Sequence, residues 1–227
     1  MTQTRIIIAL DGMLPDDAMM FAQRVSGHVW GFKMNDLFFR DGAAVLPEFR
    51  KLGGVFCDAK FHDIPNTVAN SVSMLVEEGA ADLATVHASG GPDMIKAAVR
   101  AADGKLKIIA VTALTSLDDA TAKAIYGVDA GATVRKLAQI AADGGADGIV
   151  CSPHELAEVR SIFPGLETVV PGIRPAWYGK ADDQSRAATP ADAASAGATY
   201  LVIGRPVTGA DDPIEALEKI SAEISGE

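Results

Sequence analysis

Basic residues are in short supply. The 227 residues carry 20 Lys and Arg against 30 Asp and Glu, for a formal net charge of −10. Nucleic acid and acidic membranes both require a basic face, so the balance argues against either as a partner. Cysteine is nearly absent. Cys57 and Cys151 lie far apart, each inside an apolar run, which reads as two small buried hydrophobes in a reducing compartment. The four histidines form no HxH or HExxH pattern, so a histidine metal site is not expected. No apolar run reaches the length of a membrane span. The opening run Ile6 to Leu10 is too short for a signal-peptide core and ends in Asp11, and residue 2 is Thr where myristoylation needs Gly. A cytoplasmic protein is the expectation.

Apolar residues are plentiful, at 48%, and they follow a repeated unit. A short apolar run leads to a polar or Gly-containing tip and then to an amphipathic helix. The strand candidates are Arg5–Leu10, Val29–Met34, Val55–Lys60, Leu83–Ala88, Lys107–Leu114, Gly148–Ser152, Glu167–Gly172 and Tyr200–Arg205. Several are unbroken runs of Ile, Val and Ala, as in parallel strands buried on both faces. Eight such units predict a single (β/α)8 TIM barrel domain over residues 1–227. A doubly wound open sheet is the alternative, but the first strand is followed by no GxGxxG. Asn66 is expected to cap a helix that buries Val68, Val72, Leu75 and Val76 and stops at Gly79. Asp212 and Pro213 are expected to open the last helix. Two connections, Thr115 to about Thr133 and Ile173 to about Thr189, read as long loops over the C-terminal face, where lids and binding loops form.

Polar residues gather at the predicted strand tips. Asp11 ends the first, Lys33 lies near the end of the second, and Asp58, Lys60 and Asp63 follow one another at the third. Asp58 and Lys60 are two apart, so a regular strand would turn them to one face. With Lys33 they make an alternating chain of charge. Carboxylates beside a lysine keep it an ammonium ion, which suits a general acid and not a Schiff-base nucleophile. A purely structural ion-pair network is the alternative, but a strand tip is a costly place for one. Gly204 and Arg205 at the last strand, with Arg174 after the seventh, suggest a grip on phosphate. His62 reads as structural, His87 as a supporting residue, and Trp177 and Tyr178 as loop packing.

The stretch Asp58-Ala59-Lys60-Phe61-His62-Asp63-Ile64-Pro65-Asn66-Thr67 closely resembles the signature of the orotidine 5′-monophosphate decarboxylase family. Other strand ends resemble the same family in order: Ala9-Leu10-Asp11, Gly31-Phe32-Lys33, Thr85 to Gly91, Val111 to Ser116, Pro171 to Pro175 and Val202 to Thr208. The resemblance implies decarboxylation of orotidine 5′-monophosphate to uridine 5′-monophosphate without metal or organic cofactor. It implies that Lys60 gives a proton to C6 of the pyrimidine and that Asp58 lies beside the departing carboxylate. Lys33 and Asp63 would complete the charged chain. Asp63 and Thr67 would reach across from the second subunit of a homodimer that shares its active sites, with Ile64 of the same segment also at the substrate. Asp11 would hold the ribose, Thr115 or Ser116 the base, and Arg174, Gln184, Gly204 and Arg205 the phosphate. The rivals are a metal-dependent decarboxylase or aldolase of sugar phosphates and a non-catalytic nucleotide-binding barrel. The first would carry an acidic metal ligand where Lys33 stands, and the second has no need of the charged chain.

Overall fold

Each predicted apolar run becomes a parallel strand. The computed structural model describes residues 4–179 and 187–226. Its strands are β1 (Arg5–Ala9), β2 (Gly31–Met34), β3 (Gly54–Phe61), β4 (Leu83–His87), β5 (Lys107–Val111), β6 (Gly148–Val150), β7 (Glu167–Val170) and β8 (Tyr200–Ile203). They pair in chain order and β8 returns to β1, which closes the barrel. Helices fill the intervals, so both faces of every strand are covered and an unbroken apolar run is the natural sequence for it. Most strands end a little earlier than expected. β3 is longer at both ends.

Alternation along the strands sorts the core into two layers. Ile7, Phe56, Leu83, Ile109, Val169, Tyr200 and Val202 pack inside the barrel. Their neighbours Ile6, Ile8, Cys57 and Ala84 face the helices in the outer layer. At the N-terminal end Trp30 meets Tyr200 edge-on, with ring centroids 5.0 Å apart. The interior is therefore filled below, and the polar side chains of the same strands come together above. Near this floor β2 and β3 approach closely. Gly31 is in register with Gly54, and a Cβ on Gly31 would lie 1.9 Å from the Gly54 carbonyl oxygen. Only glycine fits there.

The helix Pro65–Glu77 starts differently from the expectation. Ile64 occupies the cap position and Pro65 the first turn, so Asn66 lies inside the helix. Proline carries no N–H to leave unsatisfied and its φ is already helical, which makes it the better opener. Val68, Val72 and Leu75 are buried as expected, Val76 packs half-buried against the core, and Gly79 follows with φ +58°. The helix Pro213–Ser225 opens as expected, with the Asp212 carboxylate accepting from the Ile214 N–H.

The connection after β5 is not a loop throughout. It holds a helix, Asp119–Tyr126, and the start of another, Ala130–Asp143. Asp118 accepts from the Thr121 N–H and Asp129 from the Ala132 N–H, so each helix has its own cap. Ala122 is the one buried residue of the shorter helix. Without an apolar stripe its periodicity could not be read. After β7, Ile173 bridges to Ala188, and Thr189 caps the helix Pro190–Ser195.

Cys57 and Cys151 are free and buried. Burial pushes both thiols up to about 12. An alkylating reagent at mildly alkaline pH is expected to leave both unmodified in the native protein and to label both after unfolding. Rapid labelling of the native protein would contradict this. Among the described residues, no helix is long and apolar enough to cross a membrane.

Candidate active site

Three neighbouring strands deliver four charges to the C-terminal mouth. Ala9 of β1 is in register with Lys33 of β2, which brings Asp11, just past β1, to the lysine. The Lys33 ammonium donates to both Asp11 oxygens, at 2.8 and 2.7 Å, and lies 3.3 Å from Asp58 Oδ2. Lys60 Nζ donates to that same Asp58 oxygen at 2.6 Å. The order in space is Asp11, Lys33, Asp58, Lys60. The Lys33 and Asp58 side chains are 11% and 10% exposed and Lys60 34%. Burial alone lowers the Lys33 pKa, but the charges of Asp58 and Asp11 and their hydrogen bonds outweigh it, and the net shift is upward. Lys33 stays an ammonium ion at neutral pH.

Regular alternation does not explain how Lys60 meets Asp58. β3 and β4 pair as Cys57 with Ala84 and then Phe61 with Val86, so four steps on one strand span two on the other. The surplus forms a bulge, and within it Lys60 takes φ +51°. A non-glycine residue in that region costs about 1–3 kcal/mol and persists only where its surroundings hold it. The Lys60 N–H donates to Thr85 Oγ at 2.8 Å, and the Thr85 hydroxyl donates to Asp58 Oδ1 at 3.0 Å. Asn35 donates to the Asp58 carbonyl at 2.7 Å. Across the mouth, Asp36 accepts the Gly12 N–H at 2.9 Å and ties down the turn after Asp11.

These charges border a cavity of about 240 Å³. Phe56, Val111, Val150, Val169 and Val202 give it an apolar wall, and Thr115 lies on its rim. Ser116 is exposed beside it. A second cavity of about 370 Å³ shares Asp11, Lys33, Pro171 and Val202 with the first. Ala9, Gly172, Arg174, Gly204, Arg205 and Thr208 complete its lining. Lys33 and Asp11 thus form the partition between an acid–base half and a cationic half. The Arg174 guanidinium donates to the Ile173 carbonyl and stands 5.8 Å from the Tyr178 ring centre. Gly204 has φ −114°, and a Cβ on it would make an ordinary 3.7 Å contact with Ala9. The chain's own packing does not demand glycine there.

Other expected site residues stand apart. Asp63 is exposed, and its carboxylate accepts the Ile64 N–H at 2.6 Å. It joins no ion pair among the described residues. Asp63 and Thr67 border a surface cleft that Lys60 also lines. Ile64 is 67% exposed, a high value for a large apolar side chain. The charged group of the single chain therefore takes Asp11 as its fourth member, where sequence order put Asp63. Gln184 lies outside the described residues. His87 is half-buried with its ring 5.2 Å from that of His62, and its pKa is lowered by burial and then by the His62 and Lys60 charges. Trp177 is 42% exposed, and Lys219 Nζ lies 5.8 Å from its ring centre. Among the described residues, no group of three or more His, Cys, Asp or Glu is arranged to hold a metal.

Sequence reading missed Thr85, Asn35 and Asp36. The available signal was a polar residue at each strand tip. Thr85 could have been found as the one hydroxyl in the apolar run Leu83 to Val86.

A closed parallel barrel with acid–base groups gathered at its C-terminal mouth has the architecture of a (β/α)8-barrel enzyme. The family model described as "Orotidine 5'-phosphate decarboxylase / HUMPS family" matches residues 4–220. The chain is 48% identical over 225 residues to orotidine 5′-phosphate decarboxylase of Anaeromyxobacter sp. (strain K), covering 97% of this chain and 98% of that protein. It is 45% identical over 231 residues to the protein of the same name from Paramagnetospirillum magneticum, covering 96% and 97%. The crystal structure of orotidine 5′-phosphate decarboxylase from Lactobacillus acidophilus superposes with a TM-score of 0.81 at 32% identity, covering 97% of this chain and 99% of that one. The chain belongs to the orotidine 5′-phosphate decarboxylase / HUMPS family.

Proposed function

We propose that this chain, as one barrel domain, decarboxylates orotidine 5′-monophosphate to uridine 5′-monophosphate and CO₂ with no metal or organic cofactor. The observation that carries the reading is the Lys60 ammonium, 2.6 Å from Asp58 on the wall of the cavity. The bond between C6 and the carboxylate breaks and leaves its electron pair on C6. Lys60 stabilises that charge and then delivers a proton to it. The amine left on Lys60 regains a proton from solvent. The product is the nucleotide with hydrogen at C6.

Hydrogen-bond accounting favours Lys60 over Lys33 as the donor. An ammonium has three N–H groups. Lys33 commits two of them to the oxygens of Asp11 and is ion-paired with Asp58 at 3.3 Å. Lys60 has one partner among the described residues and faces the cavity. Asp58 stands beside the departing carboxylate, Asp11 is placed for the ribose and Thr115 for the base. Arg174, Gly204 and Arg205 line the half suited to a phosphate. Binding energy collected there, away from C6, can close and align the reacting half. The carboxylates nearest to a divalent-ion site, Asp11 and Asp58, are both already engaged by the Lys33 ammonium. That favours the cofactor-free reading over a metal-dependent one.

The protein acts as a cytoplasmic homodimer with shared sites. The outward position of Asp63, Ile64 and Thr67 supports this, because a partner's segment could bring the same residues to the mouth. Chelator-treated protein is expected to consume orotidine 5′-monophosphate, read as loss of orotidylate absorbance, as fast as untreated protein. No turnover, or turnover only after a divalent ion is restored, overturns the reading.

A further inference from the structure

We infer that the Thr85 hydroxyl is the positioning residue that sets the Lys60 ammonium for proton delivery. The inference rests on the proposed decarboxylation. The bulge in β3 removes Lys60 from the regular ladder with β4, since pairing lapses between Cys57 and Phe61. The Lys60 N–H needs another acceptor, and Thr85 Oγ supplies it at 2.8 Å. The same oxygen gives its own hydrogen to Asp58 Oδ1 at 3.0 Å, while the other Asp58 oxygen receives Lys60 Nζ at 2.6 Å. One hydroxyl therefore fixes the left-handed backbone at Lys60 and the rotation of the carboxylate that holds its side chain. Thr85 is fully buried, and by alternation with Leu83 it points into the barrel. No water is needed to satisfy it. A β-branched residue is also stiff about χ1, so the hydroxyl starts close to its bonded position.

Thr85→Val keeps the shape and removes both hydrogen bonds. Displacing a reacting group by about 1 Å can cost about 10²-fold in rate. The expected result is a kcat lower by about that factor, with the affinity for uridine 5′-monophosphate unchanged within a few-fold. Thr85→Ser keeps the hydroxyl and is expected to recover most of the rate. A residue that served only packing would give the opposite order, with Val close to wild type and Ser impaired. Should Thr85→Val fail to fold, Thr85→Ala must show the same loss of kcat with retained binding.

A crystal structure of the folded variant separates the two ideas. Lys60 is expected to leave φ +51° or to move its Nζ from Asp58. An unchanged Lys60 overturns the positioning role whatever the activity. If wild-type protein is inert toward orotidine 5′-monophosphate and the variant still shifts Lys60, the positioning holds and the proposed reaction fails.

Discussion

Lys60→Ala is expected to lower turnover by about 10⁴-fold, the upper range for removal of a positioned acid, while affinity for uridine 5′-monophosphate stays within a few-fold. Lys33 is poorly placed to take over. Lys33 is the nearest ammonium to Asp58 after Lys60, at 3.3 Å, but Asp11 holds it at 2.7 and 2.8 Å and its pKa is raised despite its burial. A stronger hold on the proton makes it a poorer donor. The cationic half of the mouth does not include Lys60 in its lining, so the variant keeps its means of holding the nucleotide. Steady-state turnover and a calorimetric titration with uridine 5′-monophosphate measure the two quantities separately. A variant that keeps more than a tenth of wild-type turnover would rule out Lys60 as the proton donor.

Mixing two inactive proteins, Lys60→Ala and Asp63→Ala, is expected to restore activity. In a shared-site dimer each site combines Lys60 of one chain with Asp63 of the other. A hybrid has one site with both replacements and one with neither. Random exchange then leaves about a quarter of all sites intact, against almost none in either parent. The geometry behind this is the exposed Asp63, whose carboxylate accepts the Ile64 N–H and joins no ion pair of its own chain's charged group. Activity that fails to return, with exchange verified by mass-tagged subunits, would count against sharing.

The eight strands were legible because parallel strands in a barrel are written as unbroken apolar runs, and β1 to β8 fall where those runs fall. Most charged residues at the tips were legible for the same reason: a carboxylate or ammonium that closes an apolar run stands out. The chain of Lys33, Asp58 and Lys60 was legible too, but the partnership of Asp11 with Lys33 was not. Asp11 reaches Lys33 because Ala9 and Lys33 are in register, and register is a property of two strands that neither one spells out. Nothing in a lysine marks the left-handed turn at Lys60, which depends on a pairing lapse against β4. Thr85 was hidden by its own suitability, since threonine is common in strands for its branching alone. The helix Asp119–Tyr126 escaped because it buries a single alanine.

The close approach at Gly31 bears on how this barrel would behave under genetic selection. A side chain on Gly31 would meet the Gly54 carbonyl, and one on Gly54 would meet the Trp30 ring at 2.6 Å. The first would push β2 from β3, the second would displace the Trp30 ring, and Lys33 sits two residues beyond Gly31 on β2. Selection for pyrimidine independence would then reject changes at these glycines as well as changes at Lys60. Intolerance to substitution on this scaffold reports the spacing of its staves as much as its chemistry, and only a binding measurement beside the growth phenotype tells the two apart.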